Sequence, residues 1–380
     1  MKKILIDARL YGLEHAGLGR YTLNLVKHIS DLDKQNKYVI LLRKNYFERL
    51  KLPDNWEKVL ADIRHYSIYE QIKILEIIRK YNPDLVHFLH FNVPVFFKGI
   101  FIVTIHDLLM HKSRGPATTN LPQHKYLIKR LGYRFVFNHA VKYATKIIVP
   151  SEYVKKEIVD YYRLDAERII VTYEGIPEFT NLGIIRLSVS KFLRKYNLQK
   201  PYFLYIGNAY PHKNLERAIE AVVLINKKSK KKVQLVIASA RDVFTNKLNK
   251  TINELHAEIY VKLIGFIPDI ELETLLCEAE AFVYPTLSEG FGLQGLESIS
   301  AGTLVVASDI PVFREIYKDN LIYFNPYDFT SIAQSMDYVL KMDIKERQKI
   351  ITKSQKFIKR YSWTKMVKET LRVYDSVLNL

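Results

Sequence analysis

The sequence has a single cysteine, Cys277, among its 380 residues. One cysteine excludes a disulfide framework and a zinc site built on cysteine ligands. Long apolar runs are lacking too, because the stretch at 100–105 falls far short of the roughly 20 residues that span a bilayer. Near the N-terminus, Asp7 arrives before the apolar region of a signal peptide can develop. These absences predict a soluble protein of the cytoplasm.

Acidic residues are scarce relative to basic ones, 40 against 58, which gives a formal charge of +18. Such a charge favours nucleic acid, an anionic membrane surface or phosphorylated ligands as partners. Residues 101–150 contain eight Lys or Arg and four His against one acid, whereas residues 251–300 contain one Lys and nine acids. We interpret this as a basic surface in the first half and an acidic region in the second. Ordinary variation of a solvated surface is the alternative.

Short apolar runs alternate with segments of helical periodicity along most of the chain. The runs are continuous and rich in β-branched residues, which is typical of parallel strands buried on both faces. Six runs precede a break and six follow it, so the pattern predicts two doubly wound α/β domains in tandem. The predicted strands are 3–7, 38–42, 85–88, 100–105, 146–150 and 169–173, then 202–206, 233–238, 260–264, 281–284, 303–307 and 321–324.

Glycine and proline residues occur in the segment that separates the two sets of strands. The segment from Glu174 to about Pro201 has no buried-strand pattern and indicates a linker with one short helix. The last stretch, 341–380, has helical periodicity, and Ser362 is placed to cap a final helix. Two doubly wound domains that face one another form a cleft, and ligands of such folds bind at the carboxyl ends of the strands. The loops at those ends are therefore the candidate sites.

The most informative loop follows the predicted strand 281–284 and begins with E-G-F-G-L, from Glu289 to Leu293. Its glycines let the backbone turn tightly and approach a ligand closely. A helix predicted to begin near Gly292 presents unpaired N–H groups that suit a diphosphate. Glu289 precedes this anion site and Glu297 follows it, so we expect both carboxylates to bind other groups, such as sugar hydroxyls. The alternative is that both merely complement the helix N-terminus.

Three further loops follow predicted strands. Lys213 lies at the mouth of the helix after the seventh strand, where the helix dipole disfavours a cation unless an anionic ligand is bound. A solvated lysine is the alternative. His106 and Asp107 close the fourth strand and are expected to point into the cleft, the alternative being a buried histidine bonded to Asp107. Gly17 belongs to a glycine loop after the first strand, but Thr22 replaces the third glycine of the dinucleotide-binding fingerprint.

Taken in order, these motifs resemble glycosyltransferase family 4, the retaining transferases of the GT-B fold, over essentially the whole chain. The most specific element is the E-x7-E spacing of Glu289 and Glu297. The resemblance implies an acceptor-binding domain at 1–178 and a nucleotide-sugar-binding domain at 179–362. It also implies a C-terminal helix at 363–380 that crosses back to the first domain.

The resemblance further implies roles for individual side chains. His106 would contact the transferred sugar near the reaction centre, and Lys213 would neutralise the donor phosphates. Glu289 would hold sugar hydroxyls, and Glu297 would bind the nucleotide ribose. The reaction would keep the anomeric configuration, with the departing diphosphate deprotonating the acceptor hydroxyl. Neither candidate loop has an Asp-x-Asp metal motif, so we expect no metal and no cofactor.

Backbone amides would complete the donor site. Gly17 would lie under the donor diphosphate, and the amides near the sugar would be those of Phe291, Gly292 and Leu293. Many relatives have Arg where this chain has Asn208, so either Arg217 or another cation compensates, or the phosphate site is less charged.

The form of the Lys213 loop resembles a subgroup rich in mannosyltransferases, which favours GDP-mannose over a UDP-hexose as the donor. The acceptor implied is a glycan or a lipid-linked glycan of cell-surface polysaccharide or lipopolysaccharide assembly. The basic, aromatic-rich segment 101–150 is interpreted as a surface for anionic lipid headgroups or for a lipid-linked acceptor. The protein is then expected in the cytoplasm, at the inner face of the membrane.

Three other classes compete with this interpretation. The charge of +18 and the aromatics of 101–150 would suit a nucleic-acid-binding protein, although we expect no nucleic acid as a partner. An NAD-dependent enzyme would need the glycine fingerprint that this chain lacks. A phosphorylase or an epimerase of the same GT-B architecture remains open.

Overall fold

The computed structural model of the protein describes residues 1–112, 122–176, 189–228, 232–239 and 243–379. These residues form two fully parallel β-sheets with helices between successive strands. The strands are β1 (Lys3–Asp7), β2 (Lys37–Leu42), β3 (Trp56–Leu60), β4 (Leu85–Phe88), β5 (Phe101–Thr104), β6 (Lys146–Val149), β7 (Ile169–Val171), β8 (Tyr202–Ile206), β9 (Gln234–Ala238), β10 (Val261–Leu263), β11 (Ala281–Tyr284), β12 (Val305–Ser308) and β13 (Ile322–Phe324). The helices are α1 (Ala16–Leu32), α2 (Lys44–Phe47), α3 (Ile68–Tyr81), α4 (Leu109–Lys112), α5 (Gln123–Tyr143), α6 (Glu152–Tyr162), α7 (Val189–Lys195), α8 (Leu215–Lys228), α9 (Val243–Glu254), α10 (Asp269–Cys277), α11 (Leu293–Ser300), α12 (Pro311–Tyr317), α13 (Phe329–Lys341), α14 (Ile344–Ile358) and α15 (Trp363–Leu378).

The first sheet has seven strands in the order β3-β2-β1-β4-β5-β6-β7. Six of them match the predicted strands, and β3 was not predicted. Its sequence, W-E-K-V-L, buries only Trp56 and Val59. Glu57 and Lys58 interrupt the apolar residues of this edge strand, so a search for continuous apolar runs passes over it.

The second sheet has six strands in the order β10-β9-β8-β11-β12-β13. All six predicted strands are confirmed, with ends that differ by one or two residues. Strands β8, β9, β11 and β12 are almost wholly buried, as expected when helices cover both faces of a parallel sheet. The sheet order places β8 beside β11 at the centre, so the loops after these two strands start next to one another.

The described chain divides into two compact units. The first comprises Met1–Leu108, Leu121–Gly175 and Tyr361–Leu380, and the second comprises Leu109–Asn120 and Ile176–Arg360. The predicted boundary between 178 and 179 lies outside the described residues. The sequence assigned all of 101–150 to the first domain, whereas α4 groups with the second unit.

The C-terminal helix α15 returns to the first unit and packs against α1, as the resemblance implied. Ser362 caps its start by accepting a hydrogen bond from the Lys365 amide. The chain passes close to itself at this point, because a Cβ added to Gly175 would lie 2.2 Å from the Trp363 nitrogen. Only glycine fits at this crossing.

A buried hydrogen-bond network ties α15 to the first sheet. His87 of β4 is fully buried, with its Nδ1 2.6 Å from the Tyr374 hydroxyl and its Nε2 2.8 Å from the Thr104 hydroxyl. The Tyr21 hydroxyl of α1 lies 3.3 Å from the same Thr104 oxygen. Burial, with a smaller effect of the His106 charge, lowers the pKa of His87 to about 3. The ring is therefore neutral at neutral pH. The network as a whole joins β4, β5, α1 and α15 through polar contacts.

We predict that Tyr374→Phe destabilises the protein by about 1–3 kcal/mol, because it leaves a fully buried ring nitrogen of His87 without its partner. The measurement is the midpoint of urea unfolding. Tyr338→Phe is the matched control, since the Tyr338 hydroxyl bonds to Glu346 at the surface and the residue is 44% exposed. Equal midpoints for the two variants would contradict a structural role of the network.

Candidate active site

The loops after β8 and β11 bring together two residues that the sequence singled out, Lys213 and Glu289. Lys213 ends a short 3-10 turn, Pro211–Lys213, immediately before α8. Its ammonium group forms an ion pair with Glu289 Oε1. Both side chains are largely buried, at 9% and 15% exposure. A buried charge of either sign would be costly alone, so each residue depends on the other.

The carboxylate of Glu289 is fixed from a second side. The Tyr284 hydroxyl, at the end of β11, lies 3.0 Å from Glu289 Oε1 and 2.6 Å from Gln294 Oε1. Tyr284 is fully buried, and burial, together with the charge of Glu289, raises its pKa well above the ordinary value. The hydroxyl therefore stays protonated and serves as a donor. This contact and the ion pair hold the carboxylate in one orientation.

Asn214 fastens the two loops to each other. Its Nδ2 donates to the carbonyls of Pro285, at 2.9 Å, and Pro326, at 2.8 Å. Its Oδ1 accepts a 2.8 Å hydrogen bond from Arg217 Nη1. Arg217, the candidate replacement for a missing phosphate-binding arginine, thus supports Asn214 in this structure.

Asn208 lies at the carboxyl end of β8, between Gly207 and the Lys213 turn. Its carbonyl accepts a 2.8 Å hydrogen bond from the Tyr205 hydroxyl. Its side-chain Oδ1 is buried and has no hydrogen-bond partner among the described residues. Buried amide groups are usually paired, so an unpaired acceptor at this position is unusual.

The E-G-F-G-L loop leads into α11 as predicted, with Gly292 as the residue before the helix. Gly292 has a φ of +104°, and an added Cβ would lie 2.8 Å from Phe313 Cε1. Its carbonyl accepts a hydrogen bond from the Tyr317 hydroxyl. The N–H of Gly295 donates a 3.1 Å hydrogen bond to the Gly292 carbonyl, whereas the first two N–H groups of a helix have no acceptor within it. Glu297, in the second turn of α11, is 5% exposed.

His106 and Gly17 belong to the first unit, where they lie at the carboxyl ends of β5 and β1. His106 Nε2 is 3.1 Å from the Leu89 carbonyl, and Nδ1 is 3.5 Å from Glu174 Oε1. The ring also meets the edge of Tyr21, with centroids 4.7 Å apart. These contacts, rather than the neighbouring Asp107, are the ones that orient the imidazole.

Gly17 stands in the first turn of α1, where an added Cβ would meet nothing within 4 Å. The glycine that packing requires in this loop is Gly19, because an added Cβ would lie 1.7 Å from the Gly12 carbonyl oxygen. Close packing therefore explains Gly19, whereas nothing near Gly17 would oppose a Cβ.

Sequence reasoning missed a buried charge cluster in the first unit. Arg9, which is 1% exposed, pairs with Asp7 at 2.6 Å and with Glu70 at 2.7 Å. Burial opposes ionisation of both carboxyls, but Arg9 holds the pKa of Asp7 below its usual range, and His65 with Arg9 does the same for Glu70. Asp7 is the last residue of the buried strand β1 and Arg9 follows it closely. Polar residues at a strand end are the same signal that singled out His106 and Asp107. Glu70 has the ordinary appearance of an acid in a first helical turn.

Metal ligands form no group at either site. Across the described residues, no cluster of three or more His, Cys, Asp or Glu side chains is placed to hold a metal ion. The expectation that no metal is needed stays a prediction.

Two parallel Rossmann-like sheets, with a buried cation, a carboxylate and a helix N-terminus at the carboxyl edge of the second, are the arrangement expected of a glycosyltransferase of the GT-B fold. Family models match both halves of the chain. The model "Glycosyltransferase Family 4" matches residues 16–178, and "Glycosyl transferases group 1" matches residues 190–357. The chain belongs to glycosyltransferase family 4.

Curated relatives extend over nearly the full length. The O-antigen chain mannosyltransferase RfbU of Salmonella typhimurium is 26% identical over 381 residues, covering 96% of this chain and 97% of its own. The O-antigen chain mannosyltransferase B of Escherichia coli is 24% identical, covering 94% and 95%. Among solved structures, a glycosyltransferase from Rickettsia africae has a TM-score of 0.73 at 19% identity, with 99% and 98% coverage. Anabaena Alr3699/HepE with UDP-glucose has a TM-score of 0.72 at 16% identity, with full coverage of both chains.

We predict that Gly292→Ala destabilises the second unit by about 1–3 kcal/mol, because the left-handed backbone and the contact with Phe313 both oppose a side chain. Gly17→Ala is the matched control. It is expected to stabilise α1 by about 0.5–1 kcal/mol, since the position is helical and open. Thermal unfolding of the two variants measures the difference. Equal shifts would show that Gly292 does not require glycine.

Proposed function

We propose that the protein is a retaining hexosyltransferase that transfers mannose from GDP-mannose to a glycan or lipid-linked glycan of cell-surface polysaccharide or lipopolysaccharide. The observation that carries this proposal is the buried ion pair of Lys213 with Glu289 beside the N-terminus of α11. The full-length similarity to two O-antigen chain mannosyltransferases supports mannose as the sugar.

The donor diphosphate is proposed to bind at Lys213. An ammonium group has three N–H donors, and among the described contacts Glu289 takes one of them. The other two are available to phosphate oxygens, with the first amides of α11 as further donors. Positive charge aimed at the diphosphate stabilises it as it departs, which is where charge develops in the transition state.

The transferred sugar is proposed to lie against Glu289, whose carboxylate accepts hydrogen bonds from sugar hydroxyls while Lys213 and Tyr284 hold it in place. The bond from the anomeric carbon to the phosphate oxygen breaks, and a bond to the acceptor oxygen forms on the same face. The departing phosphate takes the proton of the acceptor hydroxyl. The protein's contribution is to position both substrates and to stabilise the leaving group. His106 is proposed to contact the sugar from the first unit, and Glu297 to bind the ribose.

A thermal-shift screen tests the donor and the role of Lys213 together. GDP-mannose at about 100 times its dissociation constant is expected to stabilise the wild-type chain by about 2.7 kcal/mol. Lys213→Ala should lose this shift and lower turnover by about 3 kcal/mol of transition-state stabilisation or more, like the loss of an oxyanion donor.

Lys195→Ala provides the matched control, because Lys195 pairs with Glu271 at 2.5 Å in the same unit but is half exposed. It should keep both the shift and the turnover. A larger thermal shift with a UDP-hexose than with GDP-mannose would mean that the donor is a UDP-hexose. The assignment of the donor site to Lys213 would still stand. Wild-type behaviour of Lys213→Ala would remove the phosphate role altogether.

The protein is further proposed to bind an anionic membrane surface through α5. This helix contains no acid, and its exposed cations are interleaved with large apolar side chains that are at least half exposed. On a helix of 100° per residue, the apolar side chains fall within one arc of about 100°. They are Leu127, Ile128, Leu131 and Phe135, at 51%, 69%, 68% and 66% exposure. Basic amphipathic helices of this kind lie in the plane of a lipid interface. In the described part of the chain, no helix has the length and apolarity needed to cross a bilayer.

We predict that the protein floats with vesicles containing anionic phosphatidylglycerol and not with neutral phosphatidylcholine vesicles, since each nearby Lys or Arg contributes roughly 1 kcal/mol. The double variant Ile128→Ser/Leu131→Ser should lower binding at least about tenfold, because it removes two groups that would be buried in the interface. Ile344→Ser, at a position that is 82% exposed on α14, is the control. Equal flotation with both kinds of vesicle, or with neither, would contradict the proposal.

A further inference from the structure

We propose that Tyr66, supported by His90 and Phe91, forms a stacking platform for a pyranose ring of the acceptor glycan. The platform lies in the first unit, at the carboxyl edge of its sheet, in the loops after β3 and β4. The identity of the bound sugar as an acceptor rests on the proposed transferase function, whereas the platform itself rests on the geometry that follows.

Tyr66 presents an exposed ring over a packed aromatic cluster. The residue is 62% exposed, whereas Phe91 beneath it is 7% exposed. The Tyr66 and Phe91 rings are stacked with centroids 6.0 Å apart and planes 29° apart. His90 meets the edge of Tyr66 at 6.0 Å and lies 4.0 Å from Phe91. An aromatic ring held from below offers a flat apolar face, and the C–H face of a pyranose packs on such a surface through dispersion and weak C–H contacts.

The backbone of Tyr66 is held in an unfavourable conformation. Its φ is +62°, in the left-handed region, which bulky residues rarely adopt. The Tyr66 amide donates a 2.7 Å hydrogen bond to Glu70 Oε2, and this bond fixes the turn. Strained residues persist where the surrounding structure over-determines them, and they concentrate at ligand sites.

Glu70 is itself rigidly placed. It is fully buried, pairs with Arg9 at 2.7 Å and lies 3.2 Å from His65 Nδ1. Asn92, in the loop that carries the other two platform residues, donates to the same Glu70 oxygen as the Tyr66 amide. One buried carboxylate thus sets the position of both loops that build the platform. The buried charge cluster of Arg9, Asp7 and Glu70 therefore also positions the platform residues.

The platform adjoins the reaction centre that the family resemblance implies. His106 Nε2 lies 3.1 Å from the carbonyl of Leu89, the residue before His90. The His90 ring is partly exposed, and burial with the nearby His106 charge lowers its pKa to about 3. A neutral imidazole beside the stacking face has one nitrogen to donate and one to accept a hydrogen bond from a sugar hydroxyl. A pyranose on Tyr66 would therefore place a hydroxyl beside the His90 ring, one residue along the chain from the carbonyl that His106 contacts.

Tyr69 shows what the platform has that an ordinary surface tyrosine lacks. It is 59% exposed on the first turn of α3, three residues from Tyr66. The Lys73 ammonium lies 5.9 Å from the centroid of the Tyr69 ring, and the Lys73 side chain is itself exposed. Tyr69 is therefore the matched control for loss of an exposed phenol in the same segment.

The experiment is saturation-transfer NMR on the full chain with methyl α-D-mannopyranoside and with an α-linked mannobiose as probes. The wild type is expected to transfer saturation to the C–H protons of one pyranose face. Tyr66→Gly should weaken binding at least tenfold while its melting temperature stays at or above that of the wild type, because glycine suits the left-handed backbone. Tyr66→Trp should restore binding, and Tyr69→Ala should leave it unchanged.

The outcomes separate the platform from the proposed transferase function. Binding of both probes by Tyr66→Gly at wild-type strength, no binding of either probe to the wild type, or equal losses in Tyr66→Gly and Tyr69→Ala would each overturn the platform. A fall in the melting temperature of Tyr66→Gly would overturn the strain argument. The probes could bind in a Tyr66-dependent way while no nucleotide-sugar gives a thermal shift. That result would support the platform and contradict the proposed donor site.

Discussion

Burial of parallel strands on both faces is the constraint on which the rest of this structure depends. A strand such as β8 or β11 has no solvated face, so a polar side chain within it would be costly unless it were paired. Polar groups therefore collect where strands end. Because all strands of a parallel sheet end at the same edge, loops far apart in sequence are brought together there. Lys213 and Glu289, which are 76 residues apart, meet for this reason.

The two buried cations of these edges are compensated to different extents. Arg9 is held by two carboxylates, Asp7 and Glu70, which together satisfy its charge within the protein. Lys213 is held by one, Glu289, and keeps donors that the described residues do not use. Removing a buried cation from water is costly in both cases, and Arg9 has two carboxylates to offset this cost where Lys213 has one. The first arrangement is that of a structural anchor, and the second is consistent with the proposed binding of the donor diphosphate at Lys213.

The sequence predicted most of this framework, because continuous apolar runs and cap residues are local signals. Twelve of the thirteen strands, the Ser362 cap and the helix start at Gly292 are confirmed. The edge strand β3 was missed because two charged residues, Glu57 and Lys58, interrupt its apolar residues. The platform could not be predicted, since the left-handed backbone of Tyr66 depends on Glu70, whose partner Arg9 is 61 positions away in the chain and has no local signature. The meeting of Lys213 with Glu289 required the sheet order, which places β8 beside β11.

The distribution of charge at the two edges bears on what each unit can recognise. At the edge of the first unit, Arg9 is neutralised by its carboxylates, and the surface above it consists of aromatic rings and a neutral imidazole. The proposed platform itself is uncharged, which is consistent with an uncharged sugar ring as its ligand. At the edge of the second unit, the described contacts of the Lys213 ammonium use one of its three donors. The formal charge of +18 therefore says little about the chemistry of either site.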